Sequence, residues 1–93
     1  MVICVDIDGT LTNETEGHDY ANRTPNIRII NRVKKWKNEG NLIIIHSARW
    51  TEDETATRAW LMKHEVPFDV LLLGKPKCDL YVDDKAMRPE EIV

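Results

Sequence analysis

Four short apolar runs divide the chain, and polar residues follow most of them at once. The runs cover residues 2–5, 42–45, 70–73 and 80–82. Continuous short runs of Val, Ile and Leu are typical of buried parallel strands. Only residues 74–79 separate the last two runs, whereas a parallel crossover needs about a dozen residues or more. We therefore predict strands at 2–5, 42–45 and 80–82, and a short edge or connector at 70–73.

A helical segment follows the first strand, after a long loop at residues 11–24 that shows neither period and contains turn formers. Thr24 and Pro25 supply an N-cap and a proline at the first helical position, and Gly40 ends the pattern. The apolar positions between them recur at helical spacing: Ile27, Ile30, Val33 and Trp36. We predict a helix over residues 25–39.

A second helical segment follows the run at 42–45. Thr51 and Glu54 have the spacing of a capping box, and Pro67 ends the segment. Ala56, Ala59 and Trp60 lie on neighbouring turns of the predicted helix. The order of elements is therefore strand, helix, strand, helix, strand.

This alternation predicts right-handed βαβ units and a three-layer α/β sandwich around a short, mainly parallel sheet. We interpret residues 1–93 as one domain, because a chain this short has no room for a second. Between Asp8 and Ser47 there is space for one loop and one helix, and between Ser47 and Lys75 for one helix and one apolar run. Neither interval can hold a cap domain, so the site is expected to be open. It would then either take a bulky substrate or be covered by a neighbouring subunit of a homo-oligomer.

Composition and charge narrow the classes of partner. No apolar run is long enough to span a membrane, and Asp6 and Asp8 interrupt the apolar N-terminus, so we expect a cytoplasmic protein. The net charge of −3 disfavours broad binding to a nucleic-acid backbone and favours a small phosphorylated substrate. Cys4 and Cys78 are interpreted as reduced structural thiols, with Cys4 in the core.

Chemically active side chains follow the apolar runs. Ligands of open parallel sheets bind outside the carboxyl ends of the strands. The residues that the fold would gather there are Asp6, Asp8, Ser47, Lys75, Asp83 and Asp84. Four carboxylates at one edge would repel each other without a hard cation, so we expect Mg²⁺ between them.

These residue types suit phosphoryl transfer. Asp6 can attack phosphorus to form an aspartyl-phosphate, and Asp8 can protonate the leaving oxygen and later deprotonate water. Ser47 and nearby backbone N–H groups can hold the phosphoryl oxygens, while Lys75 balances negative charge.

The sequence Asp6-Ile-Asp-Gly-Thr-Leu matches the DxDGT(L/V) signature, and the chain resembles the haloacid dehalogenase-like superfamily of phosphatases over residues 2–86. Ser47 resembles its second motif, Lys75 its third, and Asp83 with Asp84 its fourth. Within the superfamily the chain is similar to very small phosphatases of capsule or surface-polysaccharide biosynthesis, which share its Ser-Ala-Arg and Gly-Lys-Pro stretches.

The resemblance implies a role for each motif residue. Asp6 would be nucleophile and metal ligand, and Asp8 would be general acid/base and would bind metal through its backbone carbonyl. Asp84 would be a further direct ligand, with Asp83 beside it. Lys75 would steady the nucleophile, although the short interval to Asp83 leaves Lys77 as an alternative.

The candidate phosphate-binding set is completed by residues around the first two motifs: Gly9, Thr10, Ser47, Ala48 and Arg49. For Arg49 two interpretations stay open, a phosphate contact and an ion pair with Glu52 or Glu54 at the helix start. His18, Tyr20 and Arg23 of the long loop could touch the leaving group or be merely solvated, and Trp50 could line the pocket.

The sequence thus predicts a Mg²⁺-dependent phosphomonoesterase that acts on a sugar phosphate or a similar metabolite. One alternative is a phosphatase for nucleic-acid ends that carry a 3′-phosphate, which an open site permits and the acidic charge disfavours. Another is a phosphate- or metal-binding regulatory module without turnover. Asp8 discriminates between enzyme and module, because a receiver-type phosphoacceptor needs no general acid there.

Overall fold

The computed structural model describes residues 1–92 and shows an α/β protein with three parallel strands and two α-helices. Strand β1 (Val2–Val5) precedes helix α1 (Ile27–Asn38), and strand β2 (Leu42–His46) precedes helix α2 (Glu54–Lys63). Strand β3 is Val70–Leu72. Three short 3-10 turns lie at Tyr20–Asn22, Thr51–Asp53 and Pro89–Glu91. The predicted α/β class with a short parallel sheet is confirmed.

The strand order is β1-β2-β3, so β2 is central and β3 lies at an edge. Cys4 pairs with Ile44, and Ile44 pairs with Val70. Residues 70–72 therefore form a strand at the edge of the sheet, the first of the two alternatives predicted for the run at 70–73. The carboxyl ends of all three strands point to one edge of the sheet, where the site lies.

One face of the sheet packs against both helices. Every second strand residue is buried or packed on the core, and the same core includes side chains from both helices. The buried core residues are Val5, Ile7, Leu11, Ile29, Ile30, Val33, Ile43, Ile45, Trp60, Leu61 and Val66. Successive right-handed crossovers in one direction place α1 and α2 on the same face. The described residues thus form two layers, not the three of the predicted sandwich.

The opposite face of the sheet is open to solvent. Val2, Leu42, Val70 and Leu72 are all exposed apolar residues on this face. Cys4 is exposed there as well, so its predicted place in the core is wrong. The reason is the two-sided alternation of strand side chains: Cys4 points away from the face that the helices cover.

Helix α1 begins two residues later than predicted. Asn26 is its N-cap and its side chain accepts a hydrogen bond from the Ile29 backbone N–H, so Thr24 is not the cap. Ile27 is exposed in the first turn, while Ile29 is buried in its place. A backbone bond from Asn26 N–H to the Leu11 carbonyl fixes where the helix starts.

Helix α2 also starts late, because residues Thr51–Asp53 form a 3-10 turn first. No side chain caps the helix, and the Thr51 hydroxyl contacts Glu52, so the predicted capping box is wrong. The buried face is Thr57, Trp60 and Leu61. The small Ala56 and Ala59 stay exposed because the bulkier Trp60 and Leu61 determine which face packs.

The predicted strand at residues 80–82 is absent from the structure. Leu80 is 73% exposed and Val82 is 91% exposed, so neither side chain gains the burial that stabilises a strand. Within residues 1–92, no helix combines the length and hydrophobicity needed to cross a bilayer.

Candidate active site

A pocket of about 330 Å³ opens at the carboxyl edge of the sheet. Its wall comes from three strand ends and the long loop: Asp6 and Asp8 after β1, residues 47–50 after β2, and Lys75 and Lys77 after β3. The loop adds residues 15–18, Tyr20 and Arg23. The structure thus brings together residues that are far apart in the sequence, as expected for strand ends of a parallel sheet.

Asp6 is the first residue after β1, is partly buried and lines the pocket. Burial raises the pKa of its carboxyl above the usual value, and the Coulombic attraction of Lys75 opposes that rise. The backbone N–H of Ile7 and nearby His46 also favour the carboxylate, while Asp8 disfavours it. Asp6 is therefore a desolvated carboxylate with one principal cationic neighbour.

A tight turn follows Asp6. The Ile7 carbonyl accepts hydrogen bonds from three backbone N–H groups, those of Thr10, Leu11 and Thr12. Gly9 has a φ of +82°, and a Cβ added there would lie 2.8 Å from Thr15 Cγ2, so the turn requires glycine.

Gly9 and Thr10 lie outside the pocket wall. Their backbone N–H groups are already engaged, that of Gly9 by the Glu14 carbonyl and that of Thr10 by the Ile7 carbonyl. Their proposed contact with phosphate stays a prediction, and in this arrangement neither residue has a backbone donor to spare.

Asp8 is held by Arg49. Arg49 Nη2 donates to Asp8 Oδ1 at 2.7 Å, and Arg49 Nε donates to Oδ2 at 3.0 Å. Arg49 is 3% exposed. Its Nη1 donates to Thr57 Oγ1 at 3.0 Å, and its guanidinium lies 3.9 Å from the centroid of the Tyr20 ring. This two-point pairing fixes the orientation of the Asp8 carboxylate.

The alternative interpretation of Arg49 as a partner of the helix start is wrong. Glu54 pairs with Arg58 at 2.8 Å instead. Three of the five N–H donors of Arg49 are engaged by Asp8 and Thr57. The structure therefore places Arg49 as a holder of Asp8 within the pocket wall.

Ser47 and Ala48 follow β2 at the pocket wall, as predicted from their position. Ser47 is 1% exposed, and its Oγ accepts a hydrogen bond from the Arg49 backbone N–H at 3.1 Å. Its backbone N–H donates to the carbonyl of Leu72, the last residue of β3, and its carbonyl accepts from the backbone N–H of Lys75. Ser47 thus ties the second strand end to the third.

Both candidate lysines line the pocket, and their environments differ. Lys75 is partly buried, its Nζ lies 4.3 Å from the centroid of the Tyr81 ring, and it acts on the pKa of Asp6. Lys77 is exposed. This difference supports Lys75 as the residue that faces the nucleophile.

Asp83 and Asp84 lie outside the pocket wall and are exposed. They do not join Asp6 and Asp8, because residues 80–82 form no strand that would bring them to the sheet edge. Within residues 1–92 there is no group of three or more His, Cys, Asp or Glu side chains placed to hold a metal ion. The residues as arranged here do not fit a Mg²⁺ site.

Cationic side chains outnumber carboxylates in the pocket wall. Arg23, Arg49, Lys75 and Lys77 stand against three carboxylates, those of Asp6, Asp8 and Glu16. A net positive wall attracts an anionic group such as phosphate.

Sequence reasoning missed Thr57 and left Arg23 and Tyr20 undecided. Thr57 is fully buried and reaches Arg49 from α2. Arg23 and Tyr20 lie in the long loop, which is closed at its base by a bridge between Thr12 and Pro25. An arginine and a tyrosine among turn-forming residues were the only signal, and polar loop residues are more often solvated.

A family model described as "PITM 1-3, LNS2 domain" matches residues 3–88. The LNS2 domain has a haloacid dehalogenase-like fold, and the match is consistent with a phosphatase of that type. No curated protein matches the chain significantly.

Solved structures resemble three quarters or more of the chain. A crystal structure of an MCSG target from Vibrio cholerae is 34% identical with a TM-score of 0.88, over 97% of this chain and 85% of that one. A chain in the structure of the Pnkp1/Rnl/Hen1 RNA repair complex is 28% identical with a TM-score of 0.68, over 77% of this chain and 24% of that one. A second Pnkp1/Rnl/Hen1 structure gives 26% identity and a TM-score of 0.68, over 96% of this chain and 32% of that one.

Proposed function

The chain belongs to the LNS2 domain family, and from this premise we propose that it is a phosphoric monoester hydrolase with Asp6 as its nucleophile. The observation that carries the proposal is the position of Asp6 directly after β1, desolvated, with Lys75 as the cation that acts most strongly on it. A carboxylate in this setting can attack an electrophile that its neighbouring cations attract.

The proposed reaction has two steps. An Asp6 carboxylate oxygen attacks phosphorus, and the bond to the leaving oxygen breaks with its electron pair as Asp8 donates a proton to that oxygen. Water then attacks the aspartyl-phosphate, gives a proton to Asp8, and releases phosphate and free Asp6. Ser47, Ala48 and Lys75 line the pocket where the phosphoryl group would sit.

Dependence on Mg²⁺ stays a separate proposal, supported by the resemblance of Asp6, Asp8, Asp83 and Asp84 to the metal-binding motifs. The pocket as described has no metal cluster among residues 1–92, so no step above passes through a metal. Activity should be measured with Mg²⁺ and after chelation with EDTA. Loss in EDTA that excess Mg²⁺ restores supports the metal; full activity in EDTA refutes it.

We further propose a sugar phosphate or similar small metabolite as substrate, because the pocket is small and its wall carries excess positive charge. The test is phosphate release from a panel of sugar phosphates, nucleotides and 3′-phosphorylated oligonucleotides. Asp6→Asn is the control that separates this activity from a contaminant. Tight binding of phosphate without release from any ester would favour the regulatory module.

A second candidate function is removal of phosphate from nucleic-acid ends. Trp50 lines the pocket and is 70% exposed, so its indole is available to stack on a base. The likeness to a chain of an RNA repair complex adds a reason to test it. If this function holds, Trp50→Ala will lower kcat/KM for a 3′-phosphorylated oligonucleotide about 10-fold or more and leave a sugar phosphate unaffected. Met62→Ala, which removes an exposed apolar side chain outside the pocket, is the matched control.

A further inference from the structure

Arg23 is a buried arginine of the long loop and belongs to none of the motifs described above. Its side chain is 4% exposed. Its backbone carbonyl accepts a hydrogen bond from Trp60 Nε1 at 2.9 Å, which fixes the residue to helix α2 through the main chain. The Arg23 side chain takes no part in this hydrogen bond, so it can act in the pocket.

The Arg23 guanidinium joins two parts of the site. Nη1 donates to the Glu16 carbonyl at 2.6 Å, and Nη2 donates to the Gly17 carbonyl at 2.9 Å. Nε lies 3.5 Å from Asp8 Oδ1 and has no hydrogen-bond partner, although it is buried. A buried donor without a partner is costly, so its position beside Asp8 calls for a functional explanation.

The two oxygens of Asp8 have unequal surroundings. Oδ1 faces two guanidinium groups, Arg49 Nη2 at 2.7 Å and Arg23 Nε at 3.5 Å. Oδ2 accepts from Arg49 Nε alone, at 3.0 Å. Oδ2 therefore has fewer partners than Oδ1 and keeps a lone pair for a further hydrogen bond, such as one with the leaving oxygen of a substrate.

We propose that Arg23 is a positioning residue for Asp8. Arg23 and Arg49 together occupy the Oδ1 side of the Asp8 carboxylate, and Oδ2 is left as the oxygen that transfers the proton. The inference rests on the proposed function. The proton passes from Oδ2 to the leaving oxygen as the bond to phosphorus breaks, and a proton from the attacking water returns to Oδ2. Arg23 also keeps Glu16 and Gly17 of the long loop against the pocket.

The test compares two esters that differ in leaving group. Arg23→Ala should lower kcat about 100-fold on an alkyl phosphate, whose leaving oxygen needs a proton, and about 10-fold or less on nitrophenyl phosphate. KM should stay within about 3-fold on both, because Arg23 is not proposed to contact phosphate. Guanidinium ion, at a concentration that leaves the melting temperature unchanged, should restore part of the alkyl phosphatase activity.

Arg23→Lys keeps the charge but lacks the planar fork that reaches two carbonyls and Asp8, so its loss should be intermediate. It replaces the alanine variant if that variant does not fold. Arg58→Ala is the matched control, since Arg58 pairs with Glu54 on the exposed side of α2.

Equal losses on the two esters, or no loss, would overturn the positioning role and leave the proposed function standing. A wild-type chain that hydrolyses neither ester, with and without Mg²⁺, would overturn the proposed function and the positioning role together.

Discussion

Residues 70–72 and 80–82 are both short runs of large apolar residues, yet only the first is a strand. Val70–Leu72 pairs with β2, and Leu71 packs against the core. Leu80, Tyr81 and Val82 are exposed and pair with no strand of the described chain. The difference is the partner: a strand is stable where an edge supplies hydrogen bonds and a covered face takes alternate side chains.

This difference divides the candidate site. The segment after β3 is fixed to the β2 end by two backbone bonds, from Gly74 N–H to the Arg49 carbonyl and from Lys75 N–H to the Ser47 carbonyl, each 2.9 Å. Lys75 therefore reaches the pocket. Asp83 and Asp84 follow a run without such anchors and remain outside.

The largest expected effect tests whether this division holds in the working protein. Asp6→Asn should abolish phosphatase activity on every ester, a loss of at least about 1,000-fold, because it removes the nucleophile. If the division holds, Asp84→Asn keeps most of the activity, since Asp84 lies outside the pocket; if Asp84 is a ligand of the proposed Mg²⁺, its activity falls as that of Asp6→Asn does. Steady-state kinetics of both variants decide the point. A loss in Asp84→Asn as complete as in Asp6→Asn would show that residues 80–82 pack beside β1 during catalysis.

The two lysines after β3 give the next contrast. Lys75→Met should lower kcat on the order of 10²–10³-fold, by analogy with loss of a preorganised donor. Lys77→Met should behave almost as wild type, because the exposed Lys77 contributes only screened charge. Both are measured at saturating substrate. If Lys77→Met is the impaired variant, the segment after β3 turns differently in the working site.

The free energy of unfolding should respond differently to substitutions in the two apolar runs. Leu71→Ala should lower the free energy of unfolding by about 1–2 kcal/mol, because half-buried apolar surface is lost from the core. Leu80→Ala should change it by less than about 0.5 kcal/mol, as expected for an exposed position. Urea unfolding curves give both values, and equal destabilisation would mean that Leu80 is buried in solution.

The smallest effect concerns Asp69, the residue before β3. Hydrogen bonds from Lys37 Nζ and from the Ile43 backbone N–H hold the pKa of Asp69 below its usual value. A lowered pKa in the folded state stabilises the protein at pH values above the unfolded-state pKa, and this contribution is lost as the pH falls through the folded-state pKa.

Asp69→Asn should therefore melt below wild type at pH 7, and the difference should shrink as the pH falls below about 4. Asp79→Asn, at an exposed position, is the control and should match wild type at both pH values. A difference that persists at low pH would argue for a role of Asp69 other than its charge.

Much of the fold follows from local pattern. Strands β1 and β2 and both helices lie within a few residues of their predicted ranges, because apolar periodicity and glycine or proline stops are local properties. The sequence could not show that residues 70–72 form a strand and residues 80–82 do not, since this depends on which run pairs with the edge of the sheet. The open face followed from two crossovers in the same direction, which the sequence does not encode locally.

The candidate site, like the fold, was predictable only in part. The meeting of Asp6, Asp8, Ser47 and Lys75 followed from the rule that parallel strands end at one edge. The pairing of Asp8 with Arg49 joins residues 41 positions apart, and no pattern in the sequence indicates it. Side-chain contacts of this kind depend on how the chain packs.

Trp50 gives the pocket an optical reporter. Of the three tryptophans, Trp60 is buried at 2% exposure and Trp36 is partly buried against the core, whereas Trp50 is 70% exposed at the pocket. A solvated indole emits at longer wavelength and is open to collisional quenchers, so a molecule that enters the pocket should shield Trp50 from iodide while Trp60 emission stays constant. Trp50 fluorescence can then report binding without turnover, even in a variant that has lost its nucleophile.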